Sequence, residues 1–166
     1  MPKRVRIAAL ASAGALAAVT TFVGSASAGG PSTAPYDCVD ARGRAFPAKV
    51  TYFTGGGQLK VTISAPPISA GFPANSINTT AIFNGPSGGV VYDGAVNPPY
   101  PGGAPVFNLG AIPKVSGTIG VGQPLADVIS GPPPSPSNWS LRVLFPGWPG
   151  WYCVARAPLS PTLLYS

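Results

Sequence analysis

The sequence predicts an all-β fold, a single immunoglobulin-like β-sandwich of about 7–9 short antiparallel strands. Three observations predict it. Short runs of alternating apolar and polar residues recur along the chain, each bounded by Gly or Pro. No window beyond the N-terminal segment has helical periodicity. The 22 glycines and 22 prolines interrupt the chain too often for long helices, yet 45% apolar and only 8% charged residues argue against disorder.

The N-terminus has the pattern of an export signal. Lys3, Arg4 and Arg6 form a basic start, Ile7 to Val23 is an Ala-rich apolar run, and Ala26-Ser27-Ala28 is an A-x-A cleavage signature. A spanning helix wants about 20 strongly apolar residues followed by a basic stop. Neither is present, so residues 1–28 are expected to be removed and no transmembrane anchor to remain. Gly29, not Cys, follows the cut, which gives no support to a lipid anchor. The expected location is secreted, extracellular or loosely held at the envelope.

Beyond the signal, residues 29–35 are expected as a flexible leader, 36–157 as the folded domain and 158–166 as a tail. Tyr36 to Asp40 begins the sheet, and Ala41 to Arg44 is a turn. Ala48 to Phe53 and Gln58 to Ser64 alternate across Gly55-Gly56-Gly57, a hairpin; Leu59, Val61 and Ile63 face inward. Ile77 to Phe83 is the next strand. Asp93-Gly94 reads as a two-residue turn between Gly89–Tyr92 and Ala95–Val96. Pro98 to Gly103 is a loop, followed by short strands at 106–109, 112–115, 118–121 and 125–129. The Pro-rich loop Gly131 to Ser137 leads to a last pair, Trp139 to Phe145 and Trp151 to Ala155, joined by a turn at Pro146 to Gly150. Trp139 is in phase with Leu141, Val143 and Phe145 and is expected in the core.

Cys38 and Cys153 are the two cysteines of the chain. In an exported protein they make one disulfide most economically, stapling the first strand to the last. Zinc binding by this pair alone is poor chemistry, because no His is present to complete a tetrahedral site.

The chemistry available is sparse. With no His and no Glu, Ser–His–Asp and Cys–His machinery is impossible, and the carboxylates are Asp37, Asp40, Asp93 and Asp127. No catalytic, metal or cofactor site is expected, and the chain reads as non-enzymatic. Loss of the signal leaves seven scattered cations against those four acids, a net +3. Nucleic acid, which wants a clustered basic patch, is not expected as a partner.

Aromatic residues are the one feature above background. Trp148 and Trp151 bracket Pro149-Gly150, Tyr152 follows, and Tyr100 sits in another Pro/Gly loop. Indoles on stiff loops stack on sugar rings and anchor protein interfaces. The competing reading puts Trp151 on the Cys153 face, packed against the disulfide.

The Ala-rich signal, the Tyr36-x-Cys38 entry strand, the His-free body and the late Cys153 together resemble small secreted actinobacterial proteins of unknown function with one disulfide. The resemblance implies a disulfide-closed β-sandwich and an extracellular location. The function expected is a binding or structural module for a polysaccharide or protein ligand, contacted through Trp148, Trp151, Tyr152 and Tyr100. The alternative is a secreted protease inhibitor presenting Pro98–Gly103 or Gly131–Ser137.

Overall fold

A computed structural model of the chain describes residues 29–128, 131 and 133–166, so the expected export signal lies outside the described residues. Ten strands and no helix occur among them. In chain order they are β1 (Ser32–Asp40), β2 (Ala45–Gly55), β3 (Gln58–Ser64), β4 (Asn78–Gly85), β5 (Gly88–Ala95), β6 (Val106–Ser116), β7 (Pro124–Asp127), β8 (Leu141–Phe145), β9 (Trp148–Ala155) and β10 (Leu163–Leu164).

Eight of these strands form a closed antiparallel ring, β1–β2–β3–β6–β5–β4–β8–β9, with β9 returning to β1. The chain is therefore a β-barrel, which corrects the expected immunoglobulin-like sandwich. The pairing that decides it is β4 with β8, from Asn78 opposite Leu144 to Ala81 opposite Leu141. Alternation alone does not separate the two architectures, because in both each strand turns one face inward. What curls this sheet shut is a set of register shifts, between Leu59 and Val61, Val91 and Tyr92, and Val143 and Phe145. Such bulges bend a strand and increase its twist.

Gly110 lies opposite the first shift with φ of 109°. A β-carbon there would stand 2.4 Å from the Leu59 carbonyl oxygen, so the two backbones meet where only glycine fits. The β2–β3 hairpin turns on Gly56 and Gly57, both at positive φ, as the glycine triplet predicts.

An eight-stranded barrel is just wide enough for side chains to fill. Here Tyr36, Tyr52, Phe83 and Tyr92 run edge to face across the middle, with centroid spacings of 6.3, 5.0 and 6.0 Å. Val50, Val61, Ala81 and Leu141 are fully sequestered beside them. Each such Val or Leu side chain contributes about 1.5–3 kcal/mol on burial.

The two ends are closed differently. At the end where β1 finishes, residues 65–77 and 96–105 fold over the barrel. Buried Asn97 clamps them: Oδ1 accepts from the Ser76 and Ile77 amides, and Nδ2 donates to the Pro73 and Pro98 carbonyls. Beneath this clamp lies a cluster of Phe72, Tyr100, Phe107, Phe145 and Trp151. At the opposite end β7 pairs with β4 at Phe83 and Asn84, β10 pairs with β7, and the Thr54 hydroxyl donates to the Leu164 carbonyl. The expected tail thus supplies β10, with Leu163 buried, and the expected leader supplies the first residues of β1.

Several strand expectations need correcting. β5 runs through Asp93-Gly94 without turning; the reversal is at Gly85 to Gly88. The segments 106–109 and 112–115 are one strand, β6, and 118–121 forms none. The strand expected at 125–129 is β7, and Ile129 lies outside the described residues. Trp139 is half-buried instead of core, beneath the Arg142 guanidinium at 4.7 Å from its ring. Cys38 and Cys153 face each other across β1 and β9 and are joined as a disulfide.

Candidate functional site

A cleft of about 240 Å³ opens on the rim where β1 ends, lined by Asp40, Arg44, Ala45, Phe46, Pro66, Pro67, Ile68, Trp148 and Trp151. Three segments build it: the β1–β2 turn, the proline pair after β3 and the start of β9.

The turn is held by one carboxylate. Asp40 accepts from the Arg42 amide at 2.9 Å, the Arg44 amide at 3.0 Å and Arg44 Nε at 2.7 Å. Burial pushes this carboxyl upward, but the hydrogen bonds from Arg44 and Arg42 outweigh it and hold the group below its usual range. The pair is lopsided in exposure: the Asp40 side chain is 3% exposed and that of Arg44 70%. The proline wall is fixed in turn, since the Ile68 carbonyl accepts from the Gly103 amide.

Trp148 opens β9 after the tight turn at Gly147, whose φ is 65°. It is half-buried, packs against the core edge and lines the cleft, with the Arg42 guanidinium 6.0 Å from its ring centroid. Trp151 sits differently. It is 4% exposed, with Phe46, Phe107 and Phe145 edge-on at 5.1, 5.0 and 4.8 Å. Its ring belongs to the core and reaches the cleft only as part of its lining.

The structure does not bring the other two expected aromatics to this place. Tyr152 follows Trp151 on the opposite face of β9, in register with Val39 and Arg142, and is half-buried. Tyr100 is 8% exposed, stacked on Phe107 at 4.4 Å, and its hydroxyl donates to the Ala104 carbonyl at 2.5 Å. Of the four, Trp148 and Trp151 share the cleft. Arg42, Arg44, Phe46 and Pro66–Ile68 were not singled out from the sequence. The available signal was the pair of arginines in a four-residue turn beside a strand end.

Comparison with protein-family models, curated proteins and solved structures finds no match. The site must therefore be read from its own chemistry.

Each of the four carboxylates is engaged by a different partner. Asp37 lies 3.5 Å from Arg156, Asp40 pairs with Arg44, Asp93 accepts from Thr80 at 2.5 Å, and Asp127 accepts from Tyr36 at 2.5 Å. No group of three or more His, Cys, Asp or Glu that could hold a metal occurs among the described residues.

Asp127 is the most perturbed acid. Burial raises it to about 6, against the opposing pull of the Tyr36 hydrogen bond. Tyr36 spends its proton on Asp127 Oδ1, so the Tyr52 hydroxyl, 2.8 Å away, donates to Tyr36. Asp127 Oδ2 is buried with no partner among the described residues. Burial drives both tyrosines far above their ordinary range, so neither serves as a base.

Proposed function

We propose that this chain is an exported, non-enzymatic binding module whose ligand is a polysaccharide seated against Trp148 in the rim cleft. The observation that carries the reading is a half-exposed indole lining a cleft whose walls are fixed from behind, by the core through Trp151 and by the Asp40 clamp. Such a plate stacks on the apolar face of a sugar ring with little ordering cost.

A polysaccharide suits the surroundings better than a protein does. Among the described residues, the large apolar side chains that stand exposed are Val106, Val115, Val121 and Leu164, and none lines the cleft. A standard protein interface covers about 800 Å² per partner around an apolar centre, and no such face adjoins Trp148. The inhibitor alternative gains nothing from Pro98–Gly103, whose Tyr100 side chain turns into the core. Export is supported by the signal pattern and by the disulfide, which suits an oxidising compartment. No helix among the described residues is long and apolar enough to cross a membrane.

The test is retention of the oxidised protein, residues 29–166, on insoluble cell-envelope material and on a panel of polysaccharides, with Trp148→Ala alongside. Retention that Trp148→Ala abolishes while the fold persists is the expected result. No retention of the wild type by any polysaccharide refutes the reading. Trp148-dependent retention that protease treatment of the envelope material removes assigns a protein ligand instead.

A further inference from the structure

The charge that the cleft exposes to solvent is of one sign. Asp40 is its only acid, and that carboxylate is sequestered and saturated by three N–H donors. Arg44 commits Nε to Asp40 while its side chain stands mostly exposed. Arg42, the next cation of the same turn, is exposed and lies near the Trp148 ring. The nearest acid along β1, Asp37, is already opposite Arg156. The rim therefore offers, beside an aromatic plate, the exposed guanidinium of Arg42 and that of Arg44, which keeps donors free beyond its pairing with Asp40, and no exposed carboxylate lines the cleft.

We infer that the ligand of this cleft is a polysaccharide with carboxylates on its sugar rings, a uronate chain. The inference rests on the reading of the cleft as a saccharide site and adds the charge of the sugar. The ring stacks on Trp148, and the carboxylate meets the Nη pair of Arg44. A planar carboxylate matches the guanidinium fork with two parallel hydrogen bonds, a geometry that lysine lacks. Arg42 adds attraction at the edge of the plate. The Asp40 clamp makes Arg44 a preorganised ligand group, because its stem is ordered before the sugar arrives.

Titration calorimetry with polygalacturonate and with the same polymer after carboxyl reduction tests this directly, since the two share a backbone and differ in charge. Wild type is expected to bind the uronate form at least about tenfold more tightly, the loss of a charge-assisted pair. Added salt should narrow the gap. Arg44→Gln is expected to erase the preference, Arg44→Lys to restore it only in part, and Trp148→Ala to weaken both polymers. Arg42→Gln leaves the Asp40 clamp intact and should reduce the preference even if Arg44→Gln fails to fold. Equal affinity for the two polymers, lost in Trp148→Ala, overturns the uronate assignment and leaves the saccharide site standing. Equal binding of dextran sulfate and polygalacturonate, with Arg44→Lys as good as wild type, also overturns it, as diffuse charge attraction. Absence of binding to polygalacturonate overturns the uronate assignment, and binding indifferent to Trp148→Ala overturns both readings.

Discussion

The buried carboxyl of Asp127 makes stability depend on pH in the direction opposite to most acidic side chains. It is 6% exposed, one oxygen takes the Tyr36 proton, and the other has no partner among the described residues. Its pKa is raised from an ordinary 3.8 to about 6. The folded protein thus keeps this proton over a range in which the unfolded chain has released it, so acidification favours the fold. The stabilisation is complete below about pH 3.8, declines as pH rises, and is gone above about pH 6. The displacement corresponds to about 3 kcal/mol. Asp40, held below its usual range, works in the other sense, but its effect falls at lower pH. With no His and no Glu in the chain, no other type of acidic or imidazole side chain has its ordinary pKa between about 4 and about 7. Urea unfolding of the oxidised protein at pH values between about 4 and about 7 should show the unfolding free energy falling by about 2 kcal/mol. Asp127→Asn keeps an acceptor for Tyr36 and removes the charge, and its stability should be flat over the same window. A wild-type stability that is level or rises with pH refutes the reasoning, as does an Asn variant that retains the slope.

Two further predictions concern packing. Trp151→Ala removes an indole ringed by Phe46, Phe107 and Phe145 and should cost about 3–5 kcal/mol, whereas Trp148→Ala should cost less than about 1 kcal/mol; similar losses in parallel urea titrations would place both rings in the same environment. Gly110→Ala forces a β-carbon against the Leu59 carbonyl at positive φ and should cost about 2–5 kcal/mol by thermal or urea unfolding, with a loss below about 0.5 kcal/mol showing that the bulge relaxes freely.

The local layer of this fold is legible in the sequence, and the global layer is not. Leu59, Val61 and Ile63 mark β3 by alternation, and Gly56-Gly57 marks its hairpin, because both signals lie within a few residues. The Cys38–Cys153 bond follows from composition and compartment. Barrel closure rests on Ala81 meeting Leu141, sixty residues apart, and on bulges that no local pattern announces. Asp93-Gly94 misleads for a related reason. Asp-Gly favours a turn, but pairing of Tyr92 and Asp93 with Ala81 and Thr80 overrides that preference. Among the site residues, Trp148 was legible from its place beside a Pro-Gly turn. Tyr100 was not, because a Pro/Gly loop can fold its aromatic inward as readily as outward, and here a stack on Phe107 decides it. The Asp127–Tyr36–Tyr52 chain joins three strands and leaves no trace in any one of them.

The covalent bond between β1 and β9 gives the ring a hinge and, by geometry, a clasp. Counting round the barrel from that seam, the joint diametrically opposite is β5 with β6. That joint is also thinly laced, in register only at Val91 with Ser116 and Tyr92 with Lys114, with a shift between them. The cylinder therefore has its covalent seam and its most sparsely registered one on opposite sides. A barrel that gapes at β5–β6 remains one curled sheet, its first and last ring strands still bolted together, and it can shut again without searching for its partners. Opening along the disulfide side is denied to it. A gap at β5–β6 would lie away from the rim cleft, which is built from the β1–β2 turn, the proline pair after β3 and the start of β9.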